Sequence, residues 1–184
     1  MSAAAARTGP GEVEAGKTAL LVIDLQNDYF QSGAFPLWEA EATAGRVGDA
    51  IRRARAAGVE VILIQHVARA AAPFFNAGTA GAEIYPAIRA AAPDAPVVVK
   101  HAADSFHETA LEEVLKARGV KRLLLCGMMT QNCVTHTALS KAAEGYDVAV
   151  IGDLSTTVSQ ILHRIALNGL STRVAILDAA TALG

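Results

Sequence analysis

The sequence predicts an α/β domain in which a mostly parallel sheet carries helices on both sides. Three observations lead there. Short runs rich in Val, Leu and Ile alternate with longer helix-like stretches along the chain. The apolar runs lack the polar–apolar alternation of half-exposed strands, which is how strands buried on both faces read. Several helical stretches stop at glycine, at Gly58, Gly119 and Gly145, the residue best suited to the left-handed conformation that ends a helix.

The predicted strands are Thr18–Ile23, Val59–Gln65, Pro96–Val99, Lys121–Cys126, Asp147–Ile151 and Thr172–Leu177. Helices are expected at Glu39–Ala57, His107–Arg118, Asn132–Glu144 and Ser159–Leu167. The segment Ala68–Ala92 breaks this rhythm. It contains Pro73, Phe74, Phe75, Gly78, Gly81 and Pro86, with a short helix expected only at Pro86–Ala91. Long irregular insertions in compact domains are often functional loops. This one follows a strand, so it is expected at the carboxyl edge of the sheet, where it could cover a site.

At 184 residues the chain suits one domain, expected over 17–184, with residues 1–16 as a loose N-terminal tail. The composition is 52% hydrophobic but only 5% aromatic, so aliphatic side chains must build the core. Sixteen basic against eighteen acidic residues leave a formal charge of −2, no footprint for nucleic acid or an anionic membrane. Arg52, Arg53 and Arg55 read as the solvated face of a helix. No apolar run reaches the ~20 residues that span a bilayer, and Met1–Gly11 lacks the apolar centre of a signal peptide. The two cysteines, Cys126 and Cys133, do not form a disulfide framework. A cytoplasmic protein is expected.

Ligands of open parallel sheets bind beyond the carboxyl ends of the strands. That edge should carry Asp24, His66, Lys100, the Gly127–Cys133 turn and Asp153. Cys133 follows an apolar strand and a glycine turn and stands at the start of a predicted helix. Unpaired N–H groups and the helix dipole would favour its thiolate there, which makes it a candidate nucleophile. The plainer alternative is a buried structural thiol. Asp24 ends Ala19–Ile23, where a carboxylate is costly without a partner, and so reads as a general base or else as a turn residue. Lys100 reads as a charge that favours the ionised forms of both, or as a solvated strand end. His136 is a competing base from the same helix, and His66 could line the pocket. His107 is expected in a first helical turn and His163 on a helix surface or in packing. No histidine pair has metal-ligand spacing.

Across residues 17–180 the chain resembles the isochorismatase-like cysteine hydrolase family. The matching pieces are Val22-Ile-Asp24-Leu-Gln-Asn-Asp28-Tyr-Phe30, Lys100 followed by Ser105-Phe106-His-Glu-Thr109-Ala-Leu111, Gly127-Met-Met-Thr130-Gln-Asn-Cys133-Val134, Thr137 and Asp153. The resemblance implies a three-layer α/β/α, Rossmann-like domain with six parallel strands ordered 3-2-1-4-5-6. It also implies an Asp24–Lys100–Cys133 triad and a non-proline cis peptide at Met128–Met129. That turn would aim the Met129 and Cys133 amides at one point as an oxyanion hole. Metal-binding nicotinamidases of the family carry Asp-x-His after the second strand and a further His in the next loop. Here those regions read Gln65-His66-Val67-Ala68 and Glu83-Ile84-Tyr85, so no metal and no cofactor is expected.

Retention of Cys133 in a complete triad favours hydrolysis of a small-molecule amide through a thioester. The alternatives are vinyl-ether hydrolysis of an isochorismate-like diacid, with the cysteine dispensable, and a catalytically silent scaffold. Phe30, His66 and Phe106 are candidate pocket residues, with ordinary core packing as the other reading of the two phenylalanines. Trp38, Phe74 and Phe75 are candidates for a lid. The resemblance implies a homo-oligomer acting on a small molecule, and the charge balance and apolar runs give no reason to expect a nucleic-acid or membrane partner.

Overall fold

The computed structural model of the protein describes residues 13–184. Strand β1 (Thr18–Ile23) is buried at every position, so both of its faces must be covered and both of its edges paired. It pairs in parallel with β2 (Glu60–His66) on one side and β4 (Arg122–Met128) on the other. Outward from these lie β3 (Val97–Lys100), β5 (Asp147–Thr156) and β6 (Ala175–Leu177). The six parallel strands are ordered β3-β2-β1-β4-β5-β6, the order the resemblance implies.

Successive side chains of a strand point to opposite faces, so each central strand feeds two cores. Leu20, Val22, Val61 and Leu63 pack with α1 (Ala40–Ala56), α2 (Pro86–Ala91) and α6 (Ala179–Leu183) through Val47, Ile51, Ile88 and Leu183. Leu21, Ile23, Ile62 and Ile64 pack with α3 (Leu111–Ala117), α4 (Thr135–Ala138) and the end of α5 (Gln160–Leu170) through Leu111, Leu115, Ala138 and Leu170. Fully burying one such aliphatic side chain contributes about 1.5–3 kcal/mol, which makes the strand interiors the main source of stability. Among the described residues no helix is long and apolar enough to cross a membrane.

Several expectations are corrected. In the stretch expected as tail, Val13 packs on the α1 side of the sheet and the Gly16 N–H donates to Gly58 O at 2.9 Å. Residues 1–12 lie outside the described residues. Two-sided burial fails in β3, where Val97 and Val99 are 37% and 45% exposed, because an edge strand has one face left uncovered. Strand β5 runs five residues past Ile151 to Thr156. Its register shifts, so that Leu125 pairs with Val150 but Gly127 with Ser155, and within the irregular stretch Asp153 is exposed. Helix α3 starts at Leu111, four residues after His107, because Glu108 has a positive φ of 53° that no helix interior accommodates. The single helix expected at Asn132–Glu144 is three pieces. A π turn covers Thr130–Val134, α4 follows, and a 3₁₀ turn at Lys141–Gly145 begins anew where the Ser140 hydroxyl accepts from Ala142 N–H.

The irregular segment 68–92 is held to the carboxyl edge by the residues after β1. The Gln26 amide donates to His66 O and Ala82 O at 2.8 and 2.7 Å and accepts from His66 N–H at 2.8 Å. The Asp28 carboxylate accepts from Phe75 N–H at 2.7 Å and from Ala34 N–H at 3.2 Å. It lies directly on Gly81, where a Cβ would come within 2.1 Å of Asp28 Oδ1.

Gly127 marks the point where β4 must pass β1 most closely. Its φ is +126°, and a Cβ there would stand 2.1 Å from Ile23 O, a backbone atom that cannot swing away. Gly127→Ala is therefore expected to destabilise the fold by about 3 kcal/mol or more, measured by chemical denaturation.

Candidate active site

Three strand ends converge on one ammonium group. Asp24 directly follows β1 in a left-handed conformation with φ 53°, a state that aspartate tolerates better than most residues. Its N–H still bonds Ile64 O at 3.1 Å, so the β1–β2 ladder fixes where the side chain starts. Lys100 ends β3 in register with His66 of β2, and its long side chain reaches across the end of β2 toward β1. Lys100 Nζ lies 2.9 Å from Asp24 Oδ2 and 3.2 Å from Cys133 Sγ. It also lies 3.1 Å from His66 Nδ1 and donates to Ala102 O at 3.0 Å. The Asp24 and Lys100 side chains are both fully buried.

An ammonium only donates, so His66 Nδ1 is the acceptor and the His66 ring is neutral with its proton on Nε2. Burial, reinforced by the Lys100 charge, holds His66 below its ordinary range in agreement with that assignment. Burial also opposes the charge on Lys100, but the Asp24 carboxylate and Cys133 outweigh it, and the lysine stays protonated.

Burial opposes the thiolate expected from the sequence. Burial is the largest influence on Cys133 and pushes the thiol well up; the Asp24 charge adds to it, and the opposing pull of Lys100 does not compensate. The supposed helix start supplies little, since Cys133 sits in a π turn followed by an α-helix of only four residues. Burial therefore favours the thiol over the thiolate beside the buried Asp24–Lys100 pair. Moving the thiol proton to Asp24 leaves the net charge of the pocket unchanged, so burial does not forbid the transfer even though it forbids loss of the proton to water.

The turn between β4 and α4 has a cis peptide at Met128–Met129. Met129 O accepts from Asn132 N–H and Val134 N–H at 3.0 and 3.3 Å, and Thr130 O accepts from the Thr135 hydroxyl at 2.6 Å. His136, the competing base, is exposed and its Nδ1 donates to Asn132 O at 2.8 Å, away from the sulfur. His107 is likewise exposed, beside Glu108. Phe30 is buried and stacks on Tyr85 with ring centroids 3.7 Å apart. Phe106 packs in the same apolar cluster as Cys133, its ring tilted on Tyr146 at 6.2 Å. Phe75 is buried and Phe74 partly so; both rings contact Tyr29, at 4.5 and 5.4 Å. Asp153 does not join the site. It is exposed, and its carboxylate accepts from Ala179 N–H at 2.9 Å, tying β5 to α6.

Two residues have contacts that the sequence did not indicate. Tyr29 is buried beside the triad, and burial together with the charges of Asp24, Cys133 and Asp28 pushes its phenol well up. Its signal was its place five residues after Asp24 in the quoted motif. His163 of α5 bonds the Thr130 hydroxyl at 2.9 Å, a contact no spacing could reveal.

The donor atoms of Asp24, His66 and Cys133 lie within 4.8 Å of one another, close enough to hold a metal ion. The Lys100 ammonium already occupies the middle of this cluster, so the set does not fit a metal cation. Gln65, in the region where the resemblance expects ligands, instead donates to Ala82 O at 2.8 Å.

Removing the ammonium strands a fully buried carboxylate. Lys100→Met is expected to cost about 3–5 kcal/mol of stability at pH 7, measured by urea denaturation. A cost near zero would mean that the pair is not buried in solution.

Residues 18–181 match the isochorismatase domain family. The isochorismatase family protein YddQ of Bacillus subtilis is 39% identical over 150 residues, covering 80% of this chain and 83% of that one. The crystal structure of an isochorismatase-like hydrolase from Alkaliphilus metalliredigens superposes with a TM-score of 0.81 at 26% identity, covering 89% of this chain and 95% of that one. A pyrazinamidase of Pyrococcus horikoshii in complex with zinc gives 0.77 at 26% identity, covering 88% and 99%. A match that spans the whole sheet, together with the shared fold, places the chain in the isochorismatase family of hydrolases.

Proposed function

We propose that the protein is a cysteine-dependent hydrolase of a small-molecule amide, with Asp24, Lys100 and Cys133 as its triad. The observation that carries this reading is the placement of Lys100 Nζ 2.9 Å from Asp24 Oδ2 and 3.2 Å from Cys133 Sγ, with all three groups shielded from water. Asp24 takes the thiol proton as Sγ adds to the substrate carbonyl, and the amides of Met129 and Cys133 hold the oxyanion. Collapse breaks the C–N bond, and Asp24 returns the proton to the departing amine. Asp24 then deprotonates a water that attacks the thioester, and the sulfur leaves and recovers its proton. Lys100 keeps the charge balanced throughout. Similarity to a pyrazinamidase supports an amide over a vinyl ether, without identifying which amide.

In this reading the substrate pocket is bounded by His66, Phe30 and Phe106. Of these, His66 touches Lys100 directly. Neither cofactor nor metal takes part. We place the reaction in the cytoplasm, a setting supported by two free, buried cysteines. A homo-oligomer belongs to the same proposal, supported by Val158, Ile161 and Ile165, which stand 44%, 74% and 63% exposed.

A panel of primary amides, carbamoyl compounds and nicotinamide, assayed for ammonia release, identifies the substrate class. Cys133→Ala is expected to lose at least ~10³-fold in turnover. Retained turnover in that variant would favour vinyl-ether chemistry instead. Asp24→Asn is expected to lower amide turnover by about 10²–10⁴-fold, because the base is gone.

A further inference from the structure

The hydrogen bonds made within the turn after β4 set its shape but not its place. Met129 O accepts from Asn132 and Val134, Thr130 O accepts from Thr135, and the Gln131 amide donates to Met129 Sδ at 3.7 Å, all inside residues 129–135. A bond of a different kind leaves the turn. The Thr130 hydroxyl, fully buried, lies 2.9 Å from Nδ1 of His163 on α5.

The direction of that bond follows from satisfaction. If Nδ1 carried a proton and donated, the buried Thr130 hydroxyl hydrogen would need another acceptor. With Nδ1 as acceptor the hydroxyl is satisfied in a single contact. A neutral ring suits this, and burial with the Arg46 and Arg164 charges holds His163 below its ordinary value. The ring is also fixed from its other side, where the Trp38 indole packs at 6.1 Å. Trp38 itself is held by its N–H to Thr157 O at 2.9 Å and by its O, which accepts from the Thr156 hydroxyl at 2.6 Å. Helix α5 is anchored at its start, where the Ser159 hydroxyl accepts from Leu162 N–H at 3.3 Å.

We propose that His163 is a positioning residue for the oxyanion donors: through Thr130 it locks the turn that presents the Met129 and Cys133 amides. The inference rests on the amide-hydrolase reading and adds to it an element, α5, that contributes no atom to the triad. His163 touches neither substrate nor sulfur. Its effect is confined to steps in which a carbonyl oxygen gathers charge.

Two probes separate positioning from mere packing. p-Nitrophenyl acetate acetylates Cys133 through a tetrahedral oxyanion: a C–S bond forms, nitrophenolate leaves, and the thiol proton passes to Asp24. Iodoacetamide alkylates the same sulfur by displacement of iodide, a C–S bond forming as the C–I bond breaks and the thiol proton passing to Asp24, with no oxyanion. His163→Leu is expected to slow acetylation roughly ten- to hundredfold while leaving the alkylation rate unchanged. His163→Asn, whose Oδ1 can take the place of Nδ1 as acceptor, is expected to recover most of the loss. If His163→Leu does not fold, Thr130→Val carries the same test with Thr130→Ser as its rescue. Acetylation at the wild-type rate in His163→Leu, or parallel slowing of both probes, overturns the inference. A wild-type protein that releases no nitrophenolate through Cys133 counts instead against the hydrolase reading beneath it.

Discussion

The buried ammonium of Lys100 is the interaction on which the candidate site depends. A lone charge in a region without water is very costly, and here the cost is met by a carboxylate, a thiol, a neutral imidazole and a backbone carbonyl gathered around one nitrogen. Each of those partners comes from a different stretch of chain. The geometry of the sheet makes the gathering feasible: β1, β2 and β3 are neighbours, so a lysine at the end of the outermost strand can span the end of the middle one to reach an acid on the third.

This arrangement also explains why the thiol is favoured over the thiolate. A site built for a permanent thiolate would need an excess of positive charge or several converging N–H donors. Here the lysine's charge is already balanced by the carboxylate, and burial decides the remaining proton in favour of sulfur. Reactivity is then conditional. In the proposed reaction the nucleophile is generated as Asp24 accepts its proton, which couples activation of the sulfur to readiness of the acid for the leaving amine.

Much of this was legible in the sequence, for a physical reason. A strand buried on both faces cannot end in a charged residue casually, so Asp24 after Ala19–Ile23 declared itself, whereas Lys100 ends an edge strand with one exposed face and drew notice mainly by closing an apolar run. The strand order and the cis peptide came with the resemblance to a known family. What stayed hidden depends on depth and direction rather than residue type. The protonation of Cys133 follows from how completely the pocket is closed, which no local pattern encodes. The breaks in the 130–145 helix were half visible, since Ser140 is a good cap, but its register gave no reason to prefer a new turn over a continuing helix. The partnership of His163 with Thr130 joins residues 33 apart through the packing of α5. Asp153 misled because it lies exposed in the irregular stretch of β5.

The stretch after β1 has a consequence of its own. Asp24, Gln26 and Asp28 are spaced by two, and the first belongs to the ion pair while the other two brace the segment from His66 to Ala82. Chemistry and enclosure are thus soldered to a single five-residue hinge. Divergence toward a new substrate could reshape the outer rim near Gly78 freely, yet any change that tugged on the bracing amide or carboxylate would reach the acid as well. Such a layout channels evolutionary variation outward and leaves the residues around the ion pair slow to change.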